Sequence, residues 1–245
     1  MTALLRAREL CPRREDGSAF ESALSLEAEP GRIICLVGPN GSGKTAYLRA
    51  LAGVDPLASG DLWILDTDVA NLDTPAWRKL RCRVAFIGEG APLLSVLDGL
   101  TNVTLPALYH RLGERETVRA QAQELLKFLE YPGRQDALPA HLNQHQRLLL
   151  AIARCLMLSP ELMFLDEPFH MTDEECRRRE SDVYLKLAHE RGLAVLVSTH
   201  NLGFVKRHAQ EIVFIHPEGV QRFPDWATFA VAPSPSVQQF LHAAA

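Results

Sequence analysis

Eight consecutive residues constrain this chain more than any others: Gly38, Pro39, Asn40, Gly41, Ser42, Gly43, Lys44 and Thr45. They match the phosphate-loop pattern G-x-x-x-x-G-K-[ST] at every fixed position. The apolar run Ile33–Val37 precedes them and Ala46–Ala52 follows, which reads as strand, turn and helix. The three glycines let successive backbone N–H groups curl around an anion. The helix beginning near Lys44 adds its N-terminal dipole. Lys44 is expected to reach the β- and γ-phosphates of a nucleotide, and the Thr45 hydroxyl to bind Mg²⁺. A glycine-rich turn with a stray lysine would not need this spacing in this setting.

A second segment completes the set. Leu162–Leu165 is an apolar strand that delivers Asp166 and Glu167 to a carboxyl edge, where open α/β sheets bind ligands. Asp166 is expected to hold Mg²⁺, directly or through water, and Glu167 to polarise an attacking water. The apolar run Ala194–Ser198 leads to Thr199 and His200 at the same kind of edge. His200 is therefore expected to contact the γ-phosphate.

The rest of the chain fits an α/β fold. Residues 1–31 are β-rich, with Ala23–Ala28 alternating. Turns are expected at Val54–Pro56 and Ala58–Gly60, a short strand at Asp61–Leu65, and a helix over Pro75–Arg81 capped by Thr74. Arg83–Ile87 reads as a strand. From 98 to 157 the period turns helical, with an amphipathic helix over Glu114–Glu130 and another from Asn143, its N-cap, to about Leu158. Strands and helices then alternate again through Glu211–Ile215, and a tail from 224 to 245 carries a short apolar helix at Ser236–Ala243. The expected architecture is a mostly parallel P-loop core, an N-terminal antiparallel β subdomain and an inserted helical subdomain over about 88–158, all within residues 1–223.

Composition excludes several functions. The 245 residues are 47% hydrophobic and 23% charged, with a net charge of −4 and a pI near 6.1. No basic face for nucleic acid is expected; Arg6–Arg14 and Arg177–Arg179 are short and mixed with acids. Five scattered cysteines without a C-x-x-C point to reduced thiols in the cytosol. No apolar run approaches the roughly 18–20 residues of a membrane span, and Met1–Leu10 has no signal-peptide core. If the protein works at a membrane, other chains are expected to hold it there.

The order of phosphate loop, helical segment, Leu165-Asp-Glu-Pro168 and Thr199-His200 resembles the nucleotide-binding domain of ABC transporters over residues 4–223. It is most similar to ATPases of bacterial lipid transport, such as the Mla phospholipid system, and of lipoprotein release. The resemblance implies a Mg²⁺-ATP-hydrolysing subunit, peripheral on the cytoplasmic face of the inner membrane. It also implies a homodimer or heterodimer on transmembrane permease subunits. In that family each ATP lies between the phosphate loop of one subunit and an L-S-G-G-Q signature of the other. By resemblance Asp173 is the D-loop aspartate, and Leu93–Leu105, with Asn102 and Val103, touches the permease.

The chain departs from the family at four places. The signature position reads Leu142, Asn143, Gln144, His145, Gln146, so two side chains stand where glycines allow close backbone approach. Asn143 can still donate a hydrogen bond. Glu89 aligns with the Q-loop glutamine, within a one-residue slip across Gly88–Gly90; a carboxylate there can bind Mg²⁺. Cys11 or Pro12 stands where an aromatic usually stacks on adenine, and Phe20 is the nearest aromatic. The D-loop stretch Phe169, His170, Met171, Thr172 is bulky. Together these suggest slow or asymmetric hydrolysis. The competing readings are a regulatory subunit that binds ATP but scarcely hydrolyses it, and a soluble ABC ATPase of DNA repair or translation. The stretch from Lys44 to Asp166 leaves no room for a repair protein's long coiled coil, and translation members usually carry two such domains.

Overall fold

The computed structural model describes residues 3–14, 16–168, 183–184 and 186–243. Asp173, the stretch 169–172, Cys176 and Arg177–Arg179 lie outside the described residues.

The middle of the molecule is a six-stranded sheet in the order β10-β9-β3-β8-β7-β6. Its strands are β3 (Ile33–Val37), β6 (Val84–Ile87), β7 (Leu162–Asp166), β8 (Ala194–Ser198), β9 (Glu211–His216) and β10 (Gly219–Phe223). All neighbours pair parallel except β10 against β9. Every residue of β3, β7 and β8 is buried, as continuous apolar runs require when both faces are covered. Alternation sends Ile33, Cys35, Val37, Met163 and Leu165 into one core, and Ile34, Leu36, Leu162 and Phe164 into the other.

The second core lies under the N-terminal sheet, order β2-β1-β4-β5. Its strands are β1 (Leu5–Pro12), β2 (Leu24–Ala28), β4 (Leu57–Ile64) and β5 (Thr67–Asp68), all antiparallel. The expected turn at Ala58–Gly60 is instead part of β4. A bulge in β1, with Glu9 at φ 47°, shifts the register between Arg8 and Cys11 and lets β4 run on through those residues.

Helices α3 (Gly99–Tyr109), α4 (Arg115–Phe128) and α5 (Gln144–Leu156) form the insertion between β6 and β7. They pack Val103, Ala107, Val118, Ala122, Leu126, Leu149 and Ile152 into the first core. Asn102 is fully buried at the start of α3. Its side chain accepts from the Leu94 N–H at 2.8 Å and donates to the carbonyls of Leu94, Leu97 and Asp98, locking the segment before the helix. Helix α2 (Thr74–Arg81) is capped by Asp73, not by Thr74: the Asp73 carboxylate accepts from the Ala76 N–H at 2.8 Å, leaving Thr74 and Pro75 as first-turn residues. Beyond β10, helices Trp226–Ala230 and Pro235–Ala243 place Phe229 and Val237 in the same core as Phe204 and Phe214.

The phosphate loop links β3 to α1 (Lys44–Leu51). Gly38 has φ 152°, and a Cβ there would lie 2.0 Å from the Ile215 carbonyl oxygen. That oxygen belongs to the β9 backbone and cannot swing aside. Gly38→Ala is expected to lower stability by about 1–3 kcal/mol, the range for strained backbone or overpacking. A loss of less than about 0.5 kcal/mol in urea denaturation would contradict the packing described.

Candidate functional site

The carboxyl ends of β3, β6, β7 and β8 open onto one cleft of about 930 Å³. Its lining includes Asn40, Gly41, Gly43, Lys44 and Thr45 from the phosphate loop, with Glu89, Glu167 and His200 from the neighbouring strand ends. Four segments far apart in sequence meet because parallel strands deliver their C-terminal residues to one edge.

Lys44 is buried, and its amine donates to the carbonyls of Gly38 at 3.1 Å and Pro39 at 3.2 Å. It also lies 3.6 Å from a carboxylate oxygen of Glu167. Ser42 is buried beneath the same turn. The Thr45 hydroxyl donates to Asp166 Oδ1 at 3.0 Å. Asp166 is 5% exposed and also accepts from the hydroxyl of Ser198. The Ser198 hydroxyl in turn accepts from the Glu167 N–H at 3.1 Å. Glu167 holds φ 43°, a conformation uncommon outside glycine, and its carboxylate meets His200 Nδ1 at 2.9 Å. A connected chain therefore runs from Thr45 through Asp166 and Ser198 to Glu167, and on to Lys44 and His200.

Thr45 and Asp166 offer adjacent hard oxygen donors, which suits Mg²⁺. That ion is typically held by one or two protein oxygens, substrate phosphates and waters. Among the described residues no cluster of three or more His, Cys, Asp or Glu could hold a metal by itself. Glu89 lines the same cleft from the end of β6.

Asn143, Gln144, His145 and Gln146 are absent from that lining. They begin α5, where Asn143 and Gln146 form a capping box: the Asn143 side chain accepts from the Gln146 N–H at 2.8 Å, and the Gln146 side chain accepts from the Asn143 N–H at 3.0 Å. Gln144 accepts from Arg147 at 2.9 Å. His145 is 9% exposed and turns inward, lining a hollow with Phe128, Pro132 and Lys186. The bulk expected at this position is thus partly withdrawn from the surface.

Three features of the cleft go beyond the sequence reading, which named Phe20 only as the aromatic nearest the adenine position. Ser198 ends an apolar strand and signals nothing until Asp166 is beside it. Arg14 and Phe20 form a wall of the cleft, with the Phe20 ring against Gly43 of the phosphate loop. Arg49 and Asp55 pair in it at 2.6 Å; the Arg49 hydrogen bonds hold the Asp55 carboxyl below its ordinary value. Away from the cleft, burial pushes the Cys35 thiol far up and that of Cys155 up to about 11, which makes both inert.

A family model described as ABC transporter matches residues 22–170. The glutamate/aspartate import ATP-binding protein GltL of Escherichia coli strain K12 is 31% identical over 219 residues, 89% of this chain and 90% of that protein. The lipoprotein-releasing system ATP-binding protein LolD of Pseudomonas fluorescens is 33% identical over 218 residues, 85% of this chain and 96% of that protein. The dimeric structure of MJ0796, a bacterial ABC transporter cassette, matches with a TM-score of 0.81 at 25% identity, covering 90% of this chain and 98% of that one. With the phosphate loop and its acidic partners at one sheet edge, this chain belongs to the ABC transporter ATP-binding proteins. It is an ATP-binding subunit of the ATPase kind that powers such transporters. Among the described residues no helix is long and apolar enough to cross a membrane.

Ser198 joins the two halves of the acidic pair. Ser198→Ala leaves the buried Asp166 with one hydroxyl partner fewer and the Glu167 N–H with one acceptor fewer. A loss of about 1–3 kcal/mol in chemical denaturation is expected, the cost of under-satisfied buried polar groups. A loss under about 0.5 kcal/mol would contradict the linkage, being no more than an ordinary surface change.

Proposed function

We propose that this chain hydrolyses Mg²⁺-ATP in the cleft and closes in pairs on the nucleotide to drive membrane permease subunits. The observation that carries this reading is the linked set Thr45, Asp166, Ser198, Glu167, His200 and Lys44. The curled backbone from Gly38 to Gly43 wraps the phosphates, and Lys44 exchanges its carbonyl partners for the β- and γ-phosphate oxygens. Thr45 and Asp166 would hold Mg²⁺, which would supply positive charge to offset that developing on the phosphates, and Glu89, in the lining of the same cleft, would be a further oxygen ligand. Glu167, aimed by His200 and by its own N–H bond to Ser198, polarises the attacking water. His200 contacts the γ-phosphate.

Asn143–Gln146 lie apart from this cleft, so they serve a second copy's nucleotide. The dimeric MJ0796 cassette supports that arrangement. Leu94, Val96, Leu105 and Tyr109 are exposed apolar side chains on and just before α3, with Val96 83% exposed. Asn102 and Val103 are fully buried and offer no surface, so these exposed side chains around them form the face offered to the permease on the cytoplasmic side of the membrane. The 33% identity to LolD, of a lipoprotein-releasing system, supports a lipid-bearing cargo, against the 31% identity to the glutamate/aspartate import protein GltL. Co-purification of the chain from solubilised membranes identifies the permease; an amino-acid permease in its place would overturn the cargo assignment.

Lys44→Ala removes the charge centred on the β- and γ-phosphates and is expected to abolish most ATP binding in calorimetry. Glu167→Gln keeps the shape of the carboxylate without its basicity. It is expected to bind Mg²⁺-ATP normally and to turn over at least about 100-fold more slowly, the usual contribution of a general base. Parental turnover in Glu167→Gln would remove that role from Glu167.

A second reading, a subunit that binds ATP but scarcely hydrolyses it, is favoured by Asn143, Gln144 and His145 at the signature position. Replacing these three by Ser, Gly and Gly separates the two. In a homodimer the closer amide approach to the γ-phosphate is expected to speed hydrolysis by about tenfold or more. In a heterodimer whose partner keeps the family signature, this chain's own site is already served. No gain, in the chain alone or with its membrane subunits, would mean that the departures at Glu89 and the adenine site matter more, or that the present N-terminus of α5 suffices.

A further inference from the structure

Away from the nucleotide cleft, a thiol and an imidazole meet across the boundary between the core and the helical insertion. Cys82 closes α2 on the core side, and His110 closes α3 on the insertion. They stand 28 residues apart in sequence and bracket β6, Glu89 and the stretch from Leu94 to Tyr109. The Cys82 thiol donates to the Arg78 carbonyl at 3.3 Å. Its sulfur lies 3.6 Å from His110 Nε2 and 3.8 Å from Nδ1, so it sits over the face of the ring. Cys82 is partly exposed and His110 is exposed. Tyr109 meets the His110 ring edge-on, at 5.0 Å between centroids. Both side chains stand just past a helix C-terminus, where the dipole favours a cation.

We propose that Cys82 and His110 are a two-ligand site for Zn²⁺ or a divalent cation of like softness, and that the bound ion staples the core to the helical insertion. Thiolate and imidazole together select zinc over the magnesium and calcium that carboxylates prefer. With Zn–S of about 2.3 Å and Zn–N of about 2.0–2.1 Å, two tetrahedral ligand atoms stand about 3.5 Å apart. The observed separation from sulfur to Nε2 is 3.6 Å. The ring has only to turn about its second torsion, a soft one, to aim a lone pair at the ion. As the sulfur–metal bond forms, the thiol gives its proton to solvent and its hydrogen bond to Arg78 ends. Waters take the two open positions. Half the ligands of a four-ligand structural site supply about half its binding free energy, which corresponds to a Kd of about 1–100 µM. Arg78 and Arg81, in the last turn of α2, repel the ion and keep it from binding more tightly. The occupied site closes residues 82–110 into a loop, which ties the Glu89 segment to the exposed end of α3.

This site stands apart from the nucleotide reading, and its test needs no ATP. Full-length reduced protein is titrated with Co²⁺, whose thiolate complexes carry a charge-transfer absorption, and Zn²⁺ is then added to displace it. The parent is expected to show that band with about one Co²⁺ per chain, and to lose it to Zn²⁺ with a Kd of about 1–100 µM. About one proton is expected to be released per ion at neutral pH. Cys82→Ser is expected to lose the band. His110→Ala keeps the thiol and is expected to weaken Zn²⁺ at least about tenfold, the least that loss of a supporting group costs a metal site. Both side chains reach solvent, so neither substitution endangers folding. Amide exchange across residues 82–110 is expected to slow in the Zn²⁺-loaded parent and to stay unchanged in His110→Ala. No band in the parent, a band that survives in Cys82→Ser, or parental Zn²⁺ affinity in His110→Ala would overturn the site. Exchange indifferent to Zn²⁺ in a parent that binds it would overturn the staple.

Discussion

Two hydroxyls on one buried carboxyl group hold the cleft together. Asp166 ends one of the three fully buried strands of the sheet and accepts from Thr45 on one side and Ser198 on the other. A carboxyl group out of water is tolerated only when its oxygens are satisfied, so these bonds fix where β7 ends relative to the phosphate loop and β8. Glu167 inherits its position from them, because its N–H is tied to Ser198 and its backbone to a left-handed turn. The side chain then falls between Lys44 and His200. Positions supplied by strand ends in this way vary little, which suits chemistry that depends on placement more than on covalent participation.

The fold and half of the site were legible because their signals are local. Continuous apolar runs such as Leu162–Leu165 and Ala194–Val197 announce strands covered on both faces, and the polar residues after each run stand at the sheet edge. Spacing alone placed Lys44, Thr45, Asp166, Glu167 and His200 together. Ser198 escaped notice because a serine closing an apolar run looks like a strand end; its value comes from Asp166, which is remote in sequence. Phe20 was visible only as the nearest aromatic, and its pairing with Arg14 escaped for a similar reason. It depends on a hairpin folding back, and on Gly43 lacking the Cβ that would displace Phe20. Local errors had local causes: Asp73 competed successfully with Thr74 for the N-cap of α2, and a bulge at Glu9 carried β4 through residues that read as a turn.

The departures from the family pattern fall on surfaces of different consequence. Glu89 and the Arg14–Phe20 hairpin are part of the chain's own cleft. Asn143–Gln146 close a capping box at the head of α5, away from that cleft, with His145 folded inward. Under the proposed function, the first pair would bear on how this subunit grips its own nucleotide, and the second on what it offers a partner. A chain can keep a sound cleft and present an altered helix N-terminus without conflict between the two, because separate elements of the fold carry them.

The central claim is that ATP is hydrolysed in a site completed by a second subunit. Steady-state phosphate release from Mg²⁺-ATP, measured across protein concentration with and without the membrane subunits, tests it most directly. The account predicts a specific activity that rises with protein concentration in the pure chain and becomes independent of it once the membrane subunits hold two copies together. Hydrolysis at a constant specific activity down to high dilution, or no hydrolysis even in the assembled transporter, would contradict it.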